Sequence, residues 1–230
     1  MRHPFSRLGL SLALVVPALL GSLGPASLAP GRAPRCTADT GPYQREVERG
    51  LRLTADGRQS PADCAAVRRF QQGHRVRPAN GYAGLATYRI MLVVQAGTTP
   101  NRAGRCPSSA YRTVCVDLGR QLLWVQRGRR IVYAPVPVRT GRDGQETRGG
   151  PHRIFRRVRD DHSRLYANAP MPYAQYFDGG QALHGTPHDL FNGAGSAGCV
   201  NLRVPDAARL WRTVGNGDRV FVWGSRPGTR

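Results

Sequence analysis

The chain has 230 residues, enough for one large domain or two small ones. Its 34 basic and 14 acidic residues give a net charge of +20, and every basic residue other than histidine is arginine. The arginines run from Arg2 to Arg230 without a basic recognition helix or interleaved aromatic residues, which argues against a nucleic-acid-binding protein. Two interpretations of the charge remain: coding bias toward arginine, and attraction to an anionic surface.

The N-terminus has the order of an export signal. A basic stretch over residues 1–7 precedes an uncharged apolar stretch from Leu8 to Leu23, and small residues follow it. The apolar stretch is shorter than the ~20 residues that cross a bilayer, and Pro17 interrupts it. We therefore predict a signal peptide over residues 1–29 and a secreted protein. The alternative is an uncleaved signal that anchors the chain in the membrane.

Five cysteines in an exported chain predict two disulfides and one remaining thiol. With one pair in each of two predicted domains, a helical one over residues 36–94 and a mostly β one over residues 110–224, the pairs are Cys36–Cys64 and Cys106–Cys115. Cys199 then stays free, and an odd thiol in a secreted protein is a candidate for a reactive group.

Helical spacing dominates residues 36–94. Ser60-Pro61-Ala62-Asp63 has the signals of a helix start: a serine cap, proline at the first helical position and an acid in the first turn. Apolar residues at helical spacing occur in three groups, which are Val47 and Leu51; Val67 and Phe70; and Leu85, Tyr88 and Leu92. We predict a small unit of three helices, with turns at Asp56-Gly57 and Asn80-Gly81 between them.

Residues 95–109 have the composition of a linker, and the periodicity then changes from helical to alternating. Strand patterns occur at Val114–Leu118, Leu122–Val125, Ile131–Val138, His152–Phe155 and Arg219–Trp223, with one helical pattern at Pro205–Val214. The sequence therefore predicts an α+β multidomain protein. A small all-α N-terminal domain precedes a mostly β sandwich or barrel over residues 110–224 with one late helix.

The residues before Cys199 are small, in the order Gly195-Ser196-Ala197-Gly198, which leaves the sulfur reachable. A thiol acyltransferase needs an accessible thiolate and hydrogen-bond donors aimed at the oxyanion of a tetrahedral intermediate. The backbone N–H groups of Gly198 and Cys199 are the candidate donors. An inert cysteine more often stands among large apolar residues of a regular strand. We therefore predict that Cys199 is a nucleophile.

A thiol with a pKa of ~8.5 is only a few per cent ionised near neutral pH, so it needs a base. His184 ends a strand-like segment directly before a glycine, and we predict that it is this base. The other histidines are weaker candidates for the base. His188 is expected to be solvated, and His152 and His162 lie among arginines, which disfavour a protonated imidazole. The sequence contains no metal-binding spacing of cysteines and histidines, so no metal is predicted.

The helical segment resembles the three-helix peptidoglycan-binding domain. The resemblance covers about a quarter of the chain and rests on three motifs, which are Asp56-Gly57; Ala66-Val67-x-x-Phe70-Gln71; and Asn80-Gly81-x-x-Gly84-x-x-Thr87. It implies that residues 36–94 bind peptidoglycan glycan, with a purely stabilising appendage as the alternative.

The later segment resembles L,D-transpeptidase catalytic domains. The motif is His184-Gly185-Thr186 followed by Ser196-x-Gly198-Cys199-Val200-Asn201. The resemblance implies that the Gly185 carbonyl orients His184, and that Ser196, Gly198, Asn201 and Tyr176 lie on the substrate or oxyanion side. Ala197 departs from the pattern, because the family usually has a second histidine there. That departure puts substrate affinity or rate in doubt.

The resemblance implies a secreted cell-wall enzyme that needs no cofactor. Its Cys199 would attack a tetrapeptide stem of peptidoglycan, release D-alanine and pass the acyl group to the amine of another stem, giving a 3→3 cross-link. Expected partners are stem peptides, glycan and anionic cell-wall polymers, without nucleic acid. Two alternatives remain open: a cell-wall cysteine peptidase (an L,D-carboxypeptidase), and a wall-binding protein whose catalytic domain has decayed.

Overall fold

The computed structural model describes residues 36–229, so the predicted signal peptide lies outside the described residues. In chain order the elements are α1 (Gln44–Leu51), α2 (Pro61–Gly73), α3 (Leu85–Ala96), β1 (Arg112–Asp117), β2 (Leu122–Arg127), β3 (Arg130–Pro137), β4 (Gly150–Arg153), β5 (Arg156–His162), β6 (Pro170–Asp178), β7 (Gln181–Thr186), β8 (Val200–Arg203), α4 (Val204–Thr213) and β9 (Arg219–Trp223). Among residues 36–229, no helix is long and apolar enough to cross a membrane.

Helix α2 begins where the sequence predicts. The side chain of Ser60 accepts a hydrogen bond from the N–H of Asp63 at 3.1 Å, and the Asp63 carboxylate accepts one from the N–H of Ser60 at 3.2 Å. Pro61 occupies the first helical position, where no backbone donor is needed. This capping box satisfies two backbone donors at once and fixes the entry into the helix. The three N-terminal helices share a small core that contains Val47, Val67, Ala83 and Met91.

The predicted cysteine pairing is confirmed. Cys36 is bonded to Cys64 and Cys106 to Cys115, while Cys199 is free. The first bond ties the segment before α1 to α2, and the second ties the segment before β1 to β1 itself.

A five-stranded sheet has the order β3-β2-β1-β9-β4, and its β1–β9 pair is parallel while the other pairs are antiparallel. Both faces of β1 are buried. Val114 and Val116 face the main core, whereas Cys115 lies with Trp124 in a second cluster that contains Ala96 of α3. Helix α3 thus covers the outer face of this sheet, and the described residues form part of one compact unit.

A four-stranded sheet has the order β5-β6-β7-β8, in which only β7 and β8 are parallel. Leu183 of β7 and Leu202 of β8 are fully buried in the main core, together with Leu210 of α4. Residues of both sheets and of α4 make up this core. Burial on that side leaves the opposite face of β7 and β8 to carry functional side chains.

Three of these strands, β5, β6 and β8, have no recognisable strand pattern in the sequence. Strand β5 has the sequence Arg-Arg-Val-Arg-Asp-Asp-His, which has no alternating apolar residues, and pairing with β6 forms it nevertheless. Strand β6 contains two prolines, and β8 is only 4 residues long. Strand β4 ends at Arg153, so Ile154 and Phe155 follow the strand that was predicted to include them.

Candidate active site

The register of β7 and β8 brings the two predicted catalytic residues onto one face. Leu183 pairs with Val200 and His184 with Asn201 in the parallel ladder. Cys199 directly precedes Val200, so it lies beside Ala182. Side chains alternate along a strand, so the side chains of His184 and Cys199 point away from the core that holds Leu183. The two are diagonal neighbours on adjacent strands, which lie ~4.8 Å apart.

His184 is held as a neutral imidazole with a defined tautomer. Its Nδ1 lies 2.7 Å from the carbonyl oxygen of Gly185, which accepts the hydrogen bond, so Nε2 keeps its free electron pair. The side chain is only 7% exposed. Burial lowers the pKa of His184, and the nearby Arg139 acts in the same direction, while the Gly185 hydrogen bond and Asp161 oppose it. The imidazole is therefore a proton acceptor at neutral pH.

Close packing around position 185 favours glycine there. An added Cβ would lie 3.2 Å from Cγ of Pro172, 3.2 Å from Cα of Val204 and 3.3 Å from Cβ of Ala207. The first turn of α4 thus presses directly on β7 behind the imidazole. A larger residue would push this helix away and shift the carbonyl that holds His184.

Cys199 is half-buried in a small apolar cluster with Met171, Ala174, Ala182 and Tyr176. Burial raises the pKa of its thiol, and the backbone N–H of Ala182 opposes this effect. The resting pair is consequently a neutral thiol and a neutral imidazole. Such a thiol must lose its proton to a base when it reacts, and His184 is the nearest histidine in the strand register.

The loop before Cys199 is fixed by the hydroxyl of Ser196. Its Oγ donates to the carbonyl of Cys199 and accepts from the N–H of Gly198 at 3.2 Å. The backbone of Ser196 pairs with that of Gly141, which anchors the loop to the segment after β3. One of the two predicted oxyanion donors, the N–H of Gly198, is therefore already engaged within the loop.

Gly198 is the position where the loop requires glycine. Its φ is +103°, a conformation that residues with a side chain rarely adopt. An added Cβ would also lie 2.5 Å from Nε2 of Gln181. The Gln181 amide in turn donates to the carbonyl of Glu146 at 2.9 Å and accepts from the N–H of Arg148 at 3.0 Å. Gln181 thus joins β7 to the 146–148 segment under the loop.

In the strand register, Tyr176 lies opposite Ala182 and Asn201 lies opposite His184. The Tyr176 hydroxyl donates to the Asp161 carboxylate at 2.7 Å, and burial followed by that hydrogen bond raises the pKa of Tyr176 to about 12. The Arg156 guanidinium lies 4.8 Å from the ring centroid. Asn201 is 6% exposed, and within residues 36–229 its Oδ1 has no hydrogen-bond partner.

Arg139 and Thr147 are two further buried residues that contact the site and that were not predicted from the sequence. Arg139 is 8% exposed, and its guanidinium donates to the Asp189 carbonyl at 2.9 Å and to Oδ1 of Asn192 at 2.7 Å. It therefore holds the loop that joins His184 to Cys199. Thr147 contacts the loop at Gly198. No spacing rule in the sequence singles out either side chain.

No group of three or more histidine, cysteine, aspartate or glutamate side chains that could hold a metal ion occurs in the described part of the chain.

The chain resembles known proteins in sequence and in fold. The family model described as the L,D-transpeptidase catalytic domain matches residues 111–222. A crystal structure of an L,D-transpeptidase from Stackebrandtia nassauensis has 35% sequence identity to the chain and a TM-score of 0.63, covering 85% of this chain and 99% of that one. No curated protein matches the chain.

Two further crystal structures are more distant. An L,D-transpeptidase from Xylanimonas cellulosilytica has 24% identity and a TM-score of 0.47, covering 85% of this chain and 100% of that one. One from Mycobacterium tuberculosis has 19% identity and a TM-score of 0.46, covering 50% and 58%. The match of residues 111–222 and the 35% identity across nearly the whole of that relative show that this chain belongs to the L,D-transpeptidase family.

Proposed function

We propose that the protein is a peptidoglycan L,D-transpeptidase with Cys199 as nucleophile and His184 as general base. The observation that carries the proposal is the hydrogen bond of 2.7 Å between Nδ1 of His184 and the Gly185 carbonyl, beside a free cysteine on the same sheet face. It leaves Nε2 as the proton acceptor. The site then has a nucleophile, a base and a group that orients the base, which is the arrangement that thiol acyl transfer requires.

In the first half-reaction, Nε2 of His184 takes the proton from Sγ of Cys199. The sulfur attacks the carbonyl carbon of the third residue of a tetrapeptide stem. The carbonyl π electrons move to oxygen, and the N–H of Cys199 stabilises the resulting oxyanion. When the tetrahedral intermediate collapses, the C–N bond breaks and the imidazolium returns the proton to the departing D-alanine amine. A thioester and neutral His184 remain.

In the second half-reaction, the side-chain amine of another stem attacks the thioester. His184 accepts the amine proton and returns a proton to the sulfur as the C–S bond breaks. The product is an amide between the two stems, a 3→3 cross-link, and the thiol is regenerated. If water were the acceptor, the same acyl-enzyme would give the L,D-carboxypeptidase alternative.

The remaining expectations concern location and partners. The predicted signal over residues 1–29, the two disulfides and the family membership support export to the cell wall. The net charge of +20 supports attraction to anionic wall polymers. The resemblance of residues 36–94 to a peptidoglycan-binding domain supports a role of the helices in holding glycan.

The test uses the chain without residues 1–29 and purified muropeptides with tetrapeptide stems, followed by mass spectrometry. Dimers that have lost one D-alanine support transpeptidation. Free tripeptides without dimers would assign the protein to the carboxypeptidase class. A second assay measures covalent adduct formation with a carbapenem, an acylating agent for this family. Absence of both products and adduct would favour the decayed wall-binding protein.

A further inference from the structure

The side chain of Thr147 bridges the segment after β3 and the loop that carries the nucleophile. Its Oγ1 accepts a hydrogen bond from the N–H of Gly141 at 3.0 Å and donates one to the carbonyl of Gly198 at 2.8 Å. The side chain is 3% exposed, so water does not compete for either bond. Because the N–H of Gly141 can only donate, it fixes the direction in which the hydroxyl donates.

The carbonyl of Gly198 and the N–H of Cys199 belong to the same peptide unit. A trans peptide is planar, and its C=O and N–H bonds point in opposite directions. A hydroxyl that holds the Gly198 carbonyl on one side therefore aims the N–H of Cys199 to the other side. Within residues 36–229, this N–H has no hydrogen-bond acceptor, whereas the N–H of Gly198 donates to Ser196.

We propose that Thr147 is a positioning residue that aims the Cys199 N–H at the oxyanion of the acyl-transfer intermediate. The inference rests on the proposed function and deepens it. Thr147 does not touch the substrate; it acts through the peptide plane. A preorganised donor needs no rearrangement when charge develops on the substrate oxygen, which is the main source of its catalytic effect.

The experiment compares two reactions of the same sulfur. Acylation by a carbapenem develops an oxyanion and depends on the aimed N–H. Alkylation by iodoacetamide needs the thiolate and access to it, but forms no oxyanion. Thr147→Val keeps the shape and removes the hydroxyl, Thr147→Ser keeps the hydroxyl, and Thr113→Val removes another buried hydroxyl from β1, away from the site.

We expect Thr147→Val to slow acylation by about 10–10²-fold, below the roughly 10²–10³-fold cost of deleting an oxyanion donor. Its alkylation rate should stay at the wild-type value, Thr147→Ser should recover most of the acylation rate, and Thr113→Val should match wild type in both. If Thr147→Val does not fold, Thr147→Ala replaces it. Equal losses in both reactions, or wild-type acylation in Thr147→Val, would overturn the proposal. Failure of the proposed function would instead be visible in the wild-type protein, as alkylation without acylation.

A second, independent observation concerns the edge of the five-stranded sheet. The antiparallel register of β4 and β9 places Arg153 directly opposite Arg219. Side chains at such positions have Cβ atoms about 4.5–5.5 Å apart, and like charges there are destabilising. Within the described residues, neither guanidinium has a carboxylate within 4.0 Å, because the nearby Asp218 pairs with Arg112 at 3.0 Å.

This arginine pair lines an open groove of about 420 Å³ that also contains Pro107, Pro151 and Phe221. The Arg219 guanidinium lies 4.7 Å from the ring centroid of Tyr111, which is 64% exposed. The Arg153 guanidinium also donates to the carbonyl of Gly217 at 2.9 Å, which orients it. Two guanidinium groups that line one groove without a carboxylate partner suit a bound phosphate, since arginine pairs with phosphate in a bidentate manner.

We infer that this groove binds the phosphate groups of an anionic polymer, at a site separate from Cys199. The probe is poly(glycerol phosphate), and poly(glutamate) serves as the carboxylate comparison. The double variant Arg153→Gln/Arg219→Gln is compared with Arg52→Gln/Arg75→Gln, which removes the same charge from the helical segment. We expect at least a tenfold loss of affinity for poly(glycerol phosphate) in the groove variant alone. An equal loss in both double variants would mean that only net charge matters, and a loss confined to poly(glutamate) would mean that the groove prefers carboxylates; either result would overturn the inference.

Discussion

The carbonyl oxygen of Gly185 lies 2.7 Å from Nδ1 of the preceding residue, His184, and this contact decides which ring nitrogen can accept a proton. The backbone orients the imidazole without an acidic side chain, so the histidine stays neutral. Burial of His184 and of Cys199 disfavours the charged form of each group. Their pairing is therefore suited to proton transfer during attack, in contrast to a preformed thiolate–imidazolium pair.

Removal of the proposed base should slow acylation without abolishing it. We expect His184→Ala to lower the rate of carbapenem acylation by about 10²–10⁴-fold at neutral pH, the usual range for general-base assistance. Higher pH should recover part of the loss, because hydroxide then ionises the thiol. Stopped-flow or mass-spectrometric acylation rates measure both effects, and Cys199→Ala is the control that should show no adduct at any pH. Full activity in His184→Ala would rule out the proposed pair.

The wild-type enzyme should keep its activity at mildly acidic pH. The proposed base works only as neutral imidazole, and burial lowers the pKa of His184 from its ordinary value, so protonation begins only at lower pH than for an exposed histidine. The acid limb of kcat/KM for acylation should therefore lie at lower pH than the ordinary titration range of histidine and should be missing in His184→Ala. An acid limb within or above that range would show that the imidazole is not shielded as described.

Substitution at Gly185 should disturb the site through packing. Gly185→Ala places a Cβ 3.2 Å from Pro172 and Val204, and overpacking of this kind costs about 1–3 kcal/mol. We expect a lower urea midpoint together with slower acylation, because the carbonyl that holds His184 moves with the strand. Gly73→Ala is the matched control, since an added Cβ there meets nothing within 4 Å. Wild-type stability in Gly185→Ala would show that α4 adjusts freely.

Loss of the α2 cap should affect stability and leave the chemistry intact. Ser60→Ala removes the acceptor of the Asp63 N–H and should cost about 1 kcal/mol, as is typical for serine caps. Urea unfolding measures this cost. The acylation rate of the folded variant should equal that of wild type, because His184 and Cys199 lie in the other part of the chain. A slower rate would mean that the helices influence the site.

Ala197 stands where the family usually has a second histidine. If His184 already serves as the base, Ala197→His should change the acylation rate only modestly. Ala197→Asn is a control for added size and polarity without a titrating ring. A large gain confined to the histidine variant would mean that the natural protein is impaired and would favour the decayed wall-binding alternative.

Local rules made several features predictable. The cap at Ser60, the strands around Val114 and Leu122, the late helix and the free thiol at Cys199 all follow from short-range patterns. These patterns succeed because caps and side-chain alternation involve residues close together in the chain. The cysteine pairing followed from one pair in each segment, and the structure contains both bonds.

Other features depend on contacts between segments that are distant in sequence. Strand β5 is mostly charged and is formed by backbone pairing with β6. It therefore has no apolar alternation from which it could be predicted. The Gly198 N–H was predicted to face the substrate, yet the Ser196 hydroxyl engages it. The Thr147 contact with Gly198 bridges two loops. The sequence by itself determined the residue types that the chemistry needs. The tertiary structure decided which of their polar groups are still available, because a hydrogen bond between distant loops depends on the packing of the whole sheet and leaves no periodic trace in either loop.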